Sequence, residues 1–146
     1  MRVLLASLLS AAACFCQAAA PDPLGLAALQ GKVVYVDFWA SWCGPCRESF
    51  PWMNRLLGQY QKDGFTILAV NVDQDPAKAQ AFLKDYPAQF RIVPDQQGKL
   101  SEYYHLRGMP SSFLVGRDGK VRYAHVGFTS QKKGEYEQEI QQLLKE

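Results

Sequence analysis

Residues 32–40 read KVVYVDFWA, a run in which only Lys32 and Asp37 interrupt β-branched, aromatic and other apolar side chains. A strand with one wetted face alternates apolar and polar residues, whereas an unbroken apolar run suits a strand covered on both faces. The chain must then place other layers above and below this strand, as an α/β arrangement does. The rest of the sequence supplies the parts. From Gly44 to about Gln61, Phe50, Met53, Leu57 and Tyr60 recur near helical spacing with Leu56 beside them, and Pro51 predicts a kink. GFTILAVNVD (64–73) is a second buried strand. Asp75 and Pro76 then open a helix carrying Ala79, Phe82, Leu83 and Tyr86, which Pro87 ends. FRIV (90–93) predicts a short strand and KLSEYYHL (99–106) a short helix. SSFLVG (111–116) and KVRYAHVG (120–127) flank Asp118-Gly119, a hairpin turn signal. Thr129 or Ser130 is expected to start a last helix that buries Tyr136, Ile140, Leu143 and Leu144. With right-handed crossovers, this order predicts an α/β fold: a central mixed β-sheet flanked by helices, with an antiparallel hairpin at one side.

The 146 residues suit one domain. Apolar residues at 48% and charged residues at 21% exclude both disorder and a multi-span membrane protein. The net charge is +2 and the densest basic run is Lys132-Lys133, so no nucleic-acid footprint is present in the sequence. Residues 1–20 differ from the remainder: Arg2, an apolar stretch from Val3 to about Phe15, then small residues. This predicts an export signal, too short for a spanning helix of about 20 apolar residues. Cleavage is expected after Ala18 or Ala19. Alternatively Cys14, which follows three alanines, is the lipidated cysteine of a lipoprotein signal, with Ala11 where leucine is usual. A Pro-marked linker, PDPLGLAALQGK, then leads into a domain assigned to residues 21–146. Cys14 and Cys16 fall outside that domain. The two cysteines that remain are too few for a disulfide framework in an oxidising compartment.

Those two cysteines lie in WCGPC, where the first strand gives way to a helix. Unsatisfied N–H groups and a partial positive charge at a helix N-terminus favour thiolate over thiol, which makes Cys43 the natural nucleophile. Cys46, one turn inside, is placed to resolve a mixed disulfide formed at Cys43. Gly44 and Pro45 keep the turn compact, and proline's missing N–H costs least in a first turn. A purely structural disulfide of this span restrains the unfolded chain little. A zinc site needs two further ligands, and the only histidines, His105 and His125, lie on separate elements; both are expected to be structural.

VDFWASWCGPC resembles the thioredoxin active-site segment. ILAVNVDQDPAKAQAFLKDY and GMPSSFLVGRDGKVRYAHVGF look like the exported TlpA/ResA-type thiol-disulfide oxidoreductases, in which a thioredoxin fold carries a strand-helix insert. The resemblance covers about residues 24–145. It implies that Cys43 attacks and Cys46 resolves, that no cofactor beyond a redox-active Cys43–Cys46 disulfide is used, and that no metal is bound. It matches Pro110 to the family's cis-proline, whose loop offers hydrogen bonds at Met109 to an extended substrate. Trp42, Gly44, Pro45, Met109 and Pro110 are thus the expected substrate-contacting residues, and Trp39 a core residue. Asp37 matches the buried aspartate of thioredoxin. Burial in an apolar strand raises a carboxyl pKa, which suits it to take the proton of Cys46. Many ResA-type members instead use a glutamate after the second strand, where this chain has Asp73 and Asp75. The implied activity is reduction of disulfides in exported proteins in a periplasm, with a membrane-embedded electron donor. Apocytochromes in cytochrome c maturation, copper-site assembly proteins and a general pool of substrates all fit. Two other readings are a protein-disulfide oxidant or isomerase, and a non-enzymatic metal-binding or redox-sensing module. A peroxidase requires a Pro-x-x-x-Thr-x-x pattern before its cysteine, which is absent before Cys43.

Overall fold

A computed structural model of the chain describes residues 21–146; the expected signal segment, with Cys14 and Cys16, lies outside the described residues. Strand β1 (Val33–Trp39) is buried along its whole length. Its alternate residues enter two separate cores: Val33, Tyr35 and Trp39 one, Val34, Val36 and Phe38 the other. β2 (Phe65–Asn71) and β3 (Arg91–Pro94) extend the sheet in parallel on one side. β4 (Ser111–Val115) and β5 (Val121–Val126) extend it antiparallel on the other. The order is β3-β2-β1-β4-β5. Pro94 is tolerated because β3 is an edge strand, where a missing N–H breaks no inner ladder. The hairpin turns where expected: Gly119 takes φ 79° and Asp118 Oδ1 accepts from Lys120 N at 3.1 Å.

The first core is covered by α1 (Gly44–Tyr60), α2 (Pro76–Asp85) and α4 (Lys133–Leu144). α1 runs on through Pro51, whose exposed position leaves the buried face intact. That face passes through Met53, Leu56 and Tyr60; Leu57, expected on it, is only half-buried. Phe50 is enclosed by aromatic rings, with Trp39 at 4.8 Å, Phe82 at 5.0 Å and Phe90 at 5.3 Å between centroids. Asp75 caps α2 by accepting from Ala77 N at 2.9 Å. The α2–β3 segment sits between β2 and the rest of the chain as the expected insert, with β3 added at the edge of β2.

Four expectations need correction. The segment read as a linker is part of the second core: Leu24 is buried, Leu26 and Leu29 pack on it from a short 3-10 turn, and Asp22 accepts from Leu26 N and Ala27 N to hold that turn. α3 (Lys99–Tyr103) stops short of residue 106, the chain turning away at His105 with φ 50°. Phe90 precedes β3 rather than opening it, because its ring is drawn into the aromatic cluster around Phe50. α4 starts at Lys133 and not at Thr129 or Ser130. Burial of Phe128 against Trp52, 5.2 Å between centroids, holds the preceding segment out of the helix, and Ser130 Oγ lies 3.4 Å from Glu48 Oε2 instead of capping.

Candidate active site

β1 runs straight into the dithiol. Its last residue, Trp39, is fully buried, and four residues later Cys43 stands as the N-cap of α1 with extended backbone (φ −81°, ψ 105°). Pro45 lies in the first turn, and Cys46 one turn in. Cys43 and Cys46 are joined in a disulfide with their Cα atoms 5.4 Å apart. Cys43 is 3% exposed and Cys46 0%, so solvent reaches the pair only from the Cys43 side. Trp42, 66% exposed, stands beside it with Gly44 and Pro45, also exposed.

The antiparallel pairing of Phe38 with Ser111 brings the loop before β4 to the same end of the sheet as the loop after β1. That loop holds a cis Met109–Pro110 bond. Pro110 is buried, its carbonyl accepting from Gly127 N at 2.8 Å, while Met109 is half-buried and packs against both cores. The structure thus gathers Trp42, Cys43, Gly44, Pro45, Cys46, Met109 and Pro110 at one end of the sheet. A groove lined by Pro45, Glu48, Phe128, Thr129, Ser130 and Gln131 opens alongside.

Asp37 lies deeper in β1, on the face that Tyr35, Trp39 and Cys46 share. It is 2% exposed, and Oδ2 has no hydrogen-bond partner among the described residues. Desolvation pushes its carboxyl well above the usual aspartate range.

Asp73 and Asp75 are both occupied elsewhere. Asp75 caps α2. Asp73, buried at the end of β2, accepts from Ser41 N, Ser41 Oγ and Asn71 Nδ2, each at 2.8 Å. It clamps the loop that carries Cys43 to the neighbouring strand. From the sequence Asp73 is only a candidate proton acceptor; the signal for the clamp is Ser41, a hydroxyl two residues before Cys43. Asp73→Ala strands one backbone N–H and two side-chain donors, and is expected to lower stability by about 1–3 kcal/mol. Chemical denaturation of the oxidised protein reads this; an unchanged midpoint would show the clamp to be dispensable. The two histidines fare differently. His105 is exposed after α3, whereas His125 on β5 sits among polar groups under α4.

Comparison with known proteins agrees with this geometry. Residues 13–140 match the family model described as Redoxin. The thiol-disulfide oxidoreductase ResA of Bacillus thuringiensis subsp. konkukian is 36% identical over 92 residues, 63% of this chain and 53% of that protein. In this and the other leading matches the chain spans about half the length of the curated relatives. ResA of Halalkalibacterium halodurans is 31% identical over 124 residues, 85% of this chain and 69% of that protein. Among solved structures, a candidate thiol:disulfide interchange protein DsbE from Chlorobium tepidum superposes with a TM-score of 0.80 at 48% identity, covering 82% of this chain and 84% of that one. The chain belongs to the Redoxin family and, within it, to the ResA group of thiol-disulfide oxidoreductases.

Proposed function

We propose that this chain is an exported thiol-disulfide oxidoreductase that reduces disulfides in exported proteins. The observation that carries the reading is the asymmetric disulfide: Cys43 caps α1 and keeps the pair's only solvent contact, and Cys46 is sealed. In the reduced state the α1 N-terminus stabilises the Cys43 thiolate. Its sulfur attacks one sulfur of a substrate disulfide, and the other substrate sulfur leaves as a thiolate that takes a proton from solvent. Cys46 then gives its proton to Asp37 and its sulfur attacks Cys43, expelling the second substrate sulfur as a thiolate that takes its proton from solvent. Two electrons pass to the substrate, and Cys43–Cys46 is again a disulfide.

Trp42, Gly44 and Pro45 form the docking surface, with the Met109–Pro110 backbone offering strand-like hydrogen bonds. A membrane-embedded donor restores the dithiol, because a periplasm is kept oxidising. Residues 1–20 direct export, either cleaved or retained through a lipid on Cys14. Among the described residues no helix is long and apolar enough to cross a membrane.

The test is the midpoint potential of the Cys43/Cys46 couple in defined thiol buffers. A value near about −270 mV is expected for a reductant; one near about −120 mV would instead make the protein an oxidant. No reversible two-electron transition at all would end the catalytic reading.

A further inference from the structure

On the face of the sheet that α4 covers, three polar residues form one row across three strands. Asp37 on β1 is paired in register with Ser112 on β4, and Ser112 with His125 on β5. Directly opposed residues of an antiparallel ladder project to the same face, so all three side chains stand side by side in an otherwise apolar layer. Ser112 is 4% exposed, and its Oγ lies 3.5 Å from His125 Nδ1. On the far side of the ring, His125 Nε2 is 2.8 Å from Glu139 Oε2, an ionic contact rather than an aligned hydrogen bond. The Tyr136 ring lies over the imidazole with centroids 3.9 Å apart. Side-chain exposure is 11% at His125 and 17% at Glu139, so the row starts sealed and ends at water. A half-buried histidine set between a buried hydroxyl and a partly exposed carboxylate has no packing advantage over leucine.

We propose that Ser112, His125 and Glu139 are the route by which the proton taken up by Asp37 exchanges with solvent. The inference rests on the reading of Asp37 as acceptor of the Cys46 proton. Asp37 makes no hydrogen bond to Ser112 among the described residues of the oxidised protein; once protonated, its carboxyl turns to Ser112 Oγ and passes its proton there as that hydroxyl gives its own to Nδ1 of a neutral His125. Nε2–H then gives a proton to the Glu139 carboxylate, which releases it to water. Re-reduction of the disulfide needs one proton at Cys46, and its return along the same groups resets the hydroxyl and the ring. The route requires His125 to be neutral at rest. Burial draws its pKa down; Lys132 acts in the same direction and Glu135 against it. Tyr35 and Tyr136, the other titratable groups facing the row, are held in their neutral form by burial.

A relay changes rates without changing an equilibrium, which separates it from a structural or electrostatic role. In His125→Gln the single-turnover rate of the resolving step is expected to fall about tenfold. The midpoint potential should stay at the wild-type value, and added imidazole should restore the rate. A wild-type rate in the variant, or a loss that imidazole does not restore, would overturn the route. Glu139→Gln, at the wetter end, serves as the second variant and should show the same slowing. Asp37→Asn runs alongside. If it is slow while His125→Gln is not, the route alone fails; if Asp37→Asn is itself as fast as wild type, the acceptor reading fails and the route with it.

Discussion

Cys43→Ser is expected to reduce turnover of a disulfide substrate by at least about 10³-fold, to the background of unassisted thiol exchange. The hydroxyl that replaces the thiol at the α1 N-cap is not ionised near neutral pH, so the helix terminus has no thiolate to stabilise. Cys46→Ser is expected to lose turnover equally but to differ in kind. Cys43 can still attack, and without a resolving thiol the covalent intermediate persists. A substrate with one accessible disulfide should therefore accumulate as a mixed-disulfide adduct in Cys46→Ser and not in Cys43→Ser. Non-reducing electrophoresis and mass spectrometry distinguish the two. Adducts on Cys46 in the Cys43→Ser protein would reverse the assigned order of attack. The burial of Cys46 at 0% exposure argues for the assigned order.

Asp37→Asn should raise stability while it lowers activity. The carboxyl is desolvated and its pKa raised in the folded protein. Between the unfolded aspartate value of about 3.9 and that raised value, the folded state binds more protons than the unfolded state. Wild-type stability therefore falls as pH climbs through this window, and the full penalty is present above it. Asparagine removes the titration. The variant's advantage should be near zero at acid pH and grow to about 1–3 kcal/mol above the window. The resolving step should meanwhile slow by about 10²-fold, since a positioned acceptor for the Cys46 proton is gone. The wild-type rate should rise with pH as Asp37 ionises, and that inflection should vanish in the variant. Denaturation curves at several pH values and single-turnover kinetics read the two effects. A variant with unchanged stability, rate and pH profile would make Asp37 an ordinary buried polar residue.

Much of this site was legible along the chain because its determinants are local. VVYVDFW states its own double burial, and a cysteine pair directly after such a strand lands at a helix N-terminus, where the charge distribution assigns the attacking sulfur. Asp75 and Pro76 mark the start of α2 by chemistry that acts within one turn. Pro110 announced itself by resemblance, and its neighbourhood to the dithiol follows from β4 pairing with β1.

What tertiary structure alone decided is the use of residues whose partners are distant in sequence. Leu24, Leu26 and Leu29 look like linker until a sheet face exists for them to cover. Phe128 delays α4 because a pocket beside Trp52 outweighs a serine or threonine cap worth about 1 kcal/mol. Asp73 becomes a clamp only when β2 lies beside the loop holding Ser41. His125 carries no motif; strand register places it beside Ser112, and α4 brings Glu139 to its other nitrogen. Which strand is central and where the reactive sulfurs sit can be read along the chain, since periodicity and helix ends are short-range effects. The polar neighbours of those sulfurs were decided by the fold, because cross-strand and helix-on-sheet contacts join residues that no local pattern connects.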